Sequence, residues 1–321
     1  MLNQNGCAHK LSSEPIAVAV TQQELNDGRL SWPHLELAIR ALHRDGLVVL
    51  EDVIDHSELD FLNATMAEDA RILQAAGEDG PYNFNKGNIQ QDPPATSQYF
   101  NPNIFLNPVV TQVTSSLLGP LPRLSFFSGN TALPPTPDAP PQSQPTHSDA
   151  DFDFPSIPFA LVINVPLVTM TPENGSTEIW LGTHNIADVS VQVGRHGERA
   201  SGCIKKDVLE ERRKVRPPSQ PVVKKGSVVI RDLRLWHNGR PNLSEEIRVM
   251  LALIHFAPWY RNTMTIELAE ELRPLVAKYE DKLQIQCKYL PEKQIMERYL
   301  KRGYGNEYDF NQADRFEMPQ R

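Results

Sequence analysis

From residue 122 the chain becomes a succession of short apolar and β-branched segments. They read RLSFFSGNTAL, then a proline-rich loop, then QPTHSD, FALVINVPL, TEIWLGTH, GSVVIRDLRLWHNG and RVMLALIHF. Pro, Gly and Asn stand between them. Segments this short, bounded by turn residues, form strands rather than helices, and so many predict an antiparallel sandwich or barrel.

Helical patterns flank this series. In HLELAIRALHRD, 34–45, Leu35, Leu37, Ile39 and Leu42 recur at helical spacing, and GLVVLEDVI then turns at Gly46 into a strand. DHSELDFLNATMAEDARIL predicts an amphipathic helix with Asp55 and Ser57 as cap candidates, and NPVVTQVTSSLLG a short helix closed by Gly119. Residues 77–104, rich in Gly, Asn, Pro and Gln, read as an ordered surface loop or lid. Beyond 260, TIELAEELRPLVAKYEDKL and PEKQIMERYLKR read as helices, the first kinked by Pro274. The expectation is one domain over 1–321, with a helical N-terminal region over 1–120, a β core of about 121–258 and a helical extension over 259–321. The polar and aromatic tail would fold over the domain or across the interface of a homodimer.

Composition narrows the function classes. A net charge of -8 gives no electrostatic draw towards nucleic acid or anionic lipid. Cys7, Cys203 and Cys287 are too few and too widely spaced for a disulfide framework or a CxxC metal pair, which fits a reducing compartment. No segment approaches the ~18 apolar residues of a membrane span, and the N-terminal apolar run 16–20 is too short for a signal peptide. A soluble, cytoplasmic protein acting on a small molecule is the expectation, with neither membrane nor nucleic acid as partner. The charge-dense run KKDVLEERRKVRPP, 205–218, reads as a solvated face, with a phosphate contact as the alternative.

The chemistry concentrates in THSD. Residues two apart on a strand project to the same side, so His147 and Asp149 would present an imidazole and a carboxylate together. Two histidines and one carboxylate form the facial triad of non-haem iron(II) oxygenases. An isolated H-x-D is a weak signal, but His237 ends an apolar strand ninety residues on, where a barrel could face it towards the first pair. A hairpin after the Asn-Gly turn would then return Arg248 beside the metal, with Met250, Ala252 and Ile254 on its own face. A guanidinium in an apolar strand needs an anion. The far carboxylate of a keto acid whose near end chelates iron would supply one. His255 has the opposite parity and should point away. Trp180 and Trp236 read as core or pocket wall, His184 as structural, and Asp151 and Asp153 as solvent or substrate contacts.

Taken together, Gln144, His147 and Asp149, then TPENGSTEIWLGTH (171–184), LWHNG (235–239) and NLSEEIR (242–248) resemble the phytanoyl-CoA dioxygenase-like family over roughly residues 35–256. The resemblance implies a mainly β fold with flanking helices, built on a double-stranded β-helix of the jelly-roll or cupin type. It implies iron(II) held by His147, Asp149 and His237, 2-oxoglutarate as co-substrate and dioxygen as oxidant. Arg248 would bind the 2-oxoglutarate C5 carboxylate, and Thr177 and Gln144 match positions that help hold the co-substrate. Because halogenating relatives lack the carboxylate, Asp149 argues against halogenation. The expected activity is oxidation of an unactivated C–H bond in natural-product biosynthesis. The alternatives are an acyl-CoA 2-hydroxylase using the basic run from Lys205 to Lys225, and a non-enzymatic metal-binding barrel. Loops 77–104 and 132–145 would rim the pocket.

Overall fold

The computed structural model describes residues 11–194, 201–301 and 310. Strand β1 (Ala17–Ala19) leads to helices α1 (Gln22–Asp27) and α2 (Trp32–Asp45). Pro33 lies in the first turn of α2, where its missing N–H costs nothing. Gly46 stops the helix at φ +73°, and a Cβ there would meet the His184 ring at 2.4 Å, so no side chain fits the cap. Strand β2 (Leu47–Glu51) and helix α3 (His56–Gln74) follow, with the Asp55 side chain accepting from the Ser57 N–H at 2.8 Å as the N-cap.

Next come β3 (Tyr82–Asn83), β4 (Asn85–Gln91), α4 (Pro102–Phe105), α5 (Pro108–Leu118), β5 (Arg123–Ala132) and β6 (Ala160–Pro166). They are followed by β7 (Thr177–Ile179), β8 (Gln192–Val193), β9 (Cys203–Ile204), α6 (Lys206–Val215), β10 (Val228–Asp232), β11 (His237–Gly239) and β12 (Arg248–Phe256). The C-terminal region adds β13 (Ile266–Ala269), α7 (Arg273–Val276), β14 (Gln284–Ile285), β15 (Cys287–Leu290) and α8 (Glu292–Arg298).

Two sheets form the core. The larger runs β1-β2-β10-β6-β12-β5-β4-β3, with β14 joining the far end of β5. The smaller pairs β7 with β11, continues through an isolated bridge at His147 to β9, and ends on β8. This is a two-sheet β core with flanking helices, in the double-stranded β-helix manner, and it is not a closed barrel. Strands β5, β6 and β10 are buried almost throughout, because helices cover the outer face of the large sheet.

Three sequence expectations are corrected. Residues 77–104 are no lid loop throughout: β4 pairs with β5 from Asn88↔Ala132 to Gln91↔Gly129 and extends the large sheet. Its glutamines are buried rather than solvated; Gln91 donates to the Met66 carbonyl and accepts from Thr131. TIELAEELRPLVAKYEDKL is not a long helix, since β13 lies parallel to β15 and Pro274 sits in the first turn of the short α7. The I-E-L alternation buries Ile266 and Leu268, and this pairing overrides the helical preference of Glu, Leu and Ala. Finally, β11 and β12 form no hairpin: β11 lies in the small sheet, while β12 pairs with β5 and β6 in the large one. Of the helix expected over PEKQIMERYLKR, residues Glu292–Arg298 form α8. Apart from Phe310, the tail beyond residue 301, with any dimer contact it makes, lies outside the described residues.

Candidate active site

His147 and His237 sit directly opposite each other on adjacent segments of the small sheet. Each donates its backbone N–H to the other's carbonyl, at 2.9 and 3.0 Å. A hydrogen-bonded antiparallel pair puts both side chains on one face at short range, and the imidazole centroids are 4.4 Å apart. The two histidines are therefore cross-strand neighbours rather than groups facing one another across a barrel interior. Ninety residues of sequence collapse into one rung of a ladder.

Each ring is also tethered at Nδ1, His147 to the Pro145 carbonyl at 2.8 Å and His237 to the Leu235 carbonyl at 3.0 Å. A carbonyl only accepts, so Nδ1 carries the proton and Nε2 is left with a lone pair. Asp149 follows two residues after His147. Its Oδ1 stands 3.8 Å from His147 Nε2 and 3.7 Å from His237 Nε2, too far for hydrogen bonds. The three donor atoms lie within 4.8 Å of one another.

The protonation states suit ligation. Burial pushes the His147 imidazole below its ordinary value, and burial with the nearby Arg231 charge pushes His237 down to about 3, so both rings are neutral at pH 7. For Asp149 burial acts upward, but the Arg231 guanidinium together with the two neighbouring histidines outweighs it and holds the carboxyl well below the usual range. Two neutral imidazoles and one ionised carboxylate converging on one point, with no hydrogen bonds among them, are a donor set that fits a divalent first-row metal such as iron(II).

Arg248 begins β12 on the opposite sheet, 1% exposed. Its Nη1 donates to the Asn130 carbonyl at 3.1 Å and Nη2 to the Gly175 carbonyl at 2.9 Å. Nε has no hydrogen-bond partner, and among the described residues no carboxylate pairs with the guanidinium. Burial lowers its pKa to about 10, so it remains charged at neutral pH. The carbonyl of Gly175 reaches it from a turn at φ +80°, where a Cβ would stand 2.5 Å from the Arg240 carbonyl oxygen. A buried cation held by two carbonyls and no acid fits a ligand carboxylate.

One cavity joins these groups. Its empty volume, open mouth included, is about 730 Å³. His147, Asp149, His237, Arg248, Thr177 and Gln144 all line it. Gln144 accepts from the Gly239 N–H at 2.8 Å, and Thr177 pairs with Gly239 across the small sheet. Met250, Ala252 and Ile254 form the opposite wall, as strand parity requires, with Asn130, Ser128 and Phe126 beside them on β5. His255 points the other way and bonds Thr114 at 2.9 Å. His184 is bound to the His43 carbonyl beneath Gly46, and Asp151 to Ser201. Trp180 and Trp236 pack with Ile204 on the outer face of the small sheet, under Val208 and Leu209 of α6.

Sequence reasoning missed Arg231, Asn164 and Phe84. Arg231 in VVIRD is, like Arg248, an arginine inside an apolar strand and equally in need of an anion. It donates to Asp149 Oδ2 at 2.7 Å and to Asn164 Oδ1 at 3.2 Å. Phe84 stands at φ +67°, rare for a bulky side chain, with its ring centroid 4.7 Å from that of His147. No sequence signal marks that conformation.

The chain matches the family model described as phytanoyl-CoA dioxygenase over residues 42–250, well over half its length. Among solved structures it resembles the epimerase SnoN in complex with Fe3+, alpha ketoglutarate and nogalamycin RO, with a TM-score of 0.54 and 20% identity, covering 70% of this chain and 84% of that one. A second SnoN structure, described as a non-heme alpha ketoglutarate dependent epimerase from nogalamycin biosynthesis, gives 0.50 and 18% over 70% and 83%. EvdMO1 gives 0.50 and 20% over 70% of this chain and 50% of its own. At these identities the structural likeness speaks for the shared fold, and the family model carries the assignment: the chain belongs to the phytanoyl-CoA dioxygenase family of 2-oxoglutarate-dependent non-haem iron oxygenases.

Proposed function

We propose that this protein oxidises a C–H bond of a small natural product, with iron(II) held by His147, Asp149 and His237 and 2-oxoglutarate anchored on Arg248. The observation that carries the reading is one cavity with a two-histidine, one-carboxylate cluster on one sheet and a buried, acid-free arginine on the facing sheet. Bound iron(II) with 2-oxoglutarate supplies the oxidant: dioxygen is reduced as the keto acid loses carbon dioxide to give succinate, and the substrate C–H bond is oxidised.

The chain's own contribution is orientation and exclusion. The Pro145 and Leu235 carbonyls keep the protons on Nδ1 and aim both Nε2 lone pairs inward. Arg231, with the two histidines, keeps Asp149 ionised. Arg248 would take the far carboxylate of the co-substrate, with Thr177 and Gln144 beside it. Phe126, Val162 and Ile254 give the cavity an apolar end, and Asn130, Ser128 and Asn164 a polar strip between that end and Arg248. Such a wall suits a substrate carrying both hydrocarbon and oxygen functions.

The acyl-CoA alternative is weaker, because most of the basic run meant for the CoA phosphates is already engaged. Lys214 pairs with Glu211, Arg216 with Asp45, Lys224 with Glu51 and Lys225 with Asp60. Arg212 bonds the Leu181 carbonyl and Arg213 lies over Trp180. The test is a metabolite-pool incubation with iron(II) and 2-oxoglutarate, read by mass for +16 or -2 products beside an acyl-CoA panel. A natural-product hit with matching succinate supports the proposal; turnover of acyl-CoA alone contradicts it.

A further inference from the structure

We propose that Arg231 is a positioning residue that makes Asp149 a one-oxygen metal ligand and ties that ligand to the substrate wall. The inference rests on the proposed metal site and adds to it. The two histidines are each fixed by a ladder pair and an Nδ1 tether. Asp149 has neither. It lies beyond the last ladder bond of its segment, Ser148 N–H to the Gly202 carbonyl. Among the described residues the one hydrogen bond to its side chain is the 2.7 Å bond from Arg231 Nη2 to Oδ2.

A carboxylate can bind a metal through one oxygen or chelate through both. With Oδ2 held by a guanidinium, Oδ1 alone is left turned towards the imidazole nitrogens, at 3.7 and 3.8 Å. The clamp is itself anchored. Arg231 is 7% exposed on β10, and its Nε donates to Asn164 Oδ1 on β6. Asn164 Nδ2 donates in turn to the Leu251 carbonyl on β12. Asn164 stands opposite Ala252, and both line the cavity. A single chain of hydrogen bonds thus runs from the wall a substrate would touch to the one ligand whose orientation the ladder does not set.

Cobalt(II), which needs no exclusion of air, serves as the probe. Affinity and visible spectrum would be measured for wild type, Arg231→Met, Arg231→Lys and Asn164→Ala, with thermal unfolding alongside. Arg231→Met should bind cobalt at least ~10-fold more weakly and change the d–d bands, because the freed Oδ2 alters the coordination. Arg231→Lys should recover most of the affinity, which restoring fold stability alone would not do for the spectrum. Asn164→Ala should shift both in the same direction by less. Wild-type affinity and spectrum in Arg231→Met would overturn the inference; should that variant not fold, unchanged cobalt binding in both Arg231→Lys and Asn164→Ala would do the same. Failure of the wild type to bind cobalt would instead remove the metal-site reading underneath.

Discussion

Asp45 and Asp149 are both carboxylates bonded to a buried arginine, and they are finished differently. Asp45, fully buried at the end of α2, has both oxygens saturated: Oδ1 accepts from Arg216 Nη1 at 2.7 Å and Arg44 Nε at 3.0 Å, and Oδ2 from Arg44 Nη2 at 2.5 Å. Asp232 is likewise closed by Arg234 on both sides. Asp149 accepts on Oδ2 alone and turns Oδ1 towards two neutral imidazoles that it does not bond. The arginines divide the same way: Arg216 and Arg234 have acids, and Arg248 has only carbonyls. A closed pair holds the fold together, whereas a half-open one fits a partner from outside the chain.

The comparison breaks if the two kinds of pair respond alike to truncation. Asp45→Ala strands Arg216 beside the Ser12 carbonyl and should cost about 3–5 kcal/mol of stability, read by denaturant unfolding, with metal binding unchanged. Burial acts upward on the Asp45 carboxyl, but hydrogen bonds from Arg44 and Arg216 outweigh it and hold its folded pKa below the ordinary ~3.9. The unfolded chain therefore binds the proton first as pH falls. This contribution is complete above about pH 4 and fades as pH drops through the folded value, so the wild type should lose more stability than Asp45→Ala over that window.

Arg248→Ala should do the reverse. It removes a cation with no protein acid, so apparent 2-oxoglutarate affinity should fall by about 2–5 kcal/mol, roughly 30-fold or more, with iron affinity retained. Weaker iron binding instead would mean that Arg248 serves the metal. Gly175→Ala sharpens the contrast at lower cost. A Cβ at φ +80° against the Arg240 carbonyl should displace the Gly175 carbonyl from Arg248, destabilise the protein by about 1–3 kcal/mol and raise the 2-oxoglutarate KM. A changed melting temperature with an unchanged KM would uncouple that turn from the site.

The fold and the site were legible in the sequence where a period or a parity governs them. The strands from 123 to 256 follow from short apolar and β-branched runs bounded by turn residues, and the inward row Arg248, Met250, Ala252, Ile254 follows from strand parity alone. Parity also set His255 apart. What parity could not give is which strands become neighbours. The His147–His237 rung depends on the small sheet's pairing order, and the passage of β12 into the large sheet depends on a loop that only looked like a hairpin turn. The strand at 266–269 was hidden because its partner, 287–290, lies in a segment without strong alternation. Arg231 was missed for a different reason: nothing in VVIRD says that its acid is Asp149, eighty-two residues earlier, rather than its neighbour Asp232.

The central claim is that the half-open carboxylate, and not the closed ones, completes a metal site. Anaerobic addition of iron(II) and 2-oxoglutarate should give a weak visible charge-transfer band in the wild type, unchanged in Asp45→Ala and Asp151→Ala and lost in Asp149→Ala. A band that survives Asp149→Ala, or a wild type that shows none, would contradict it.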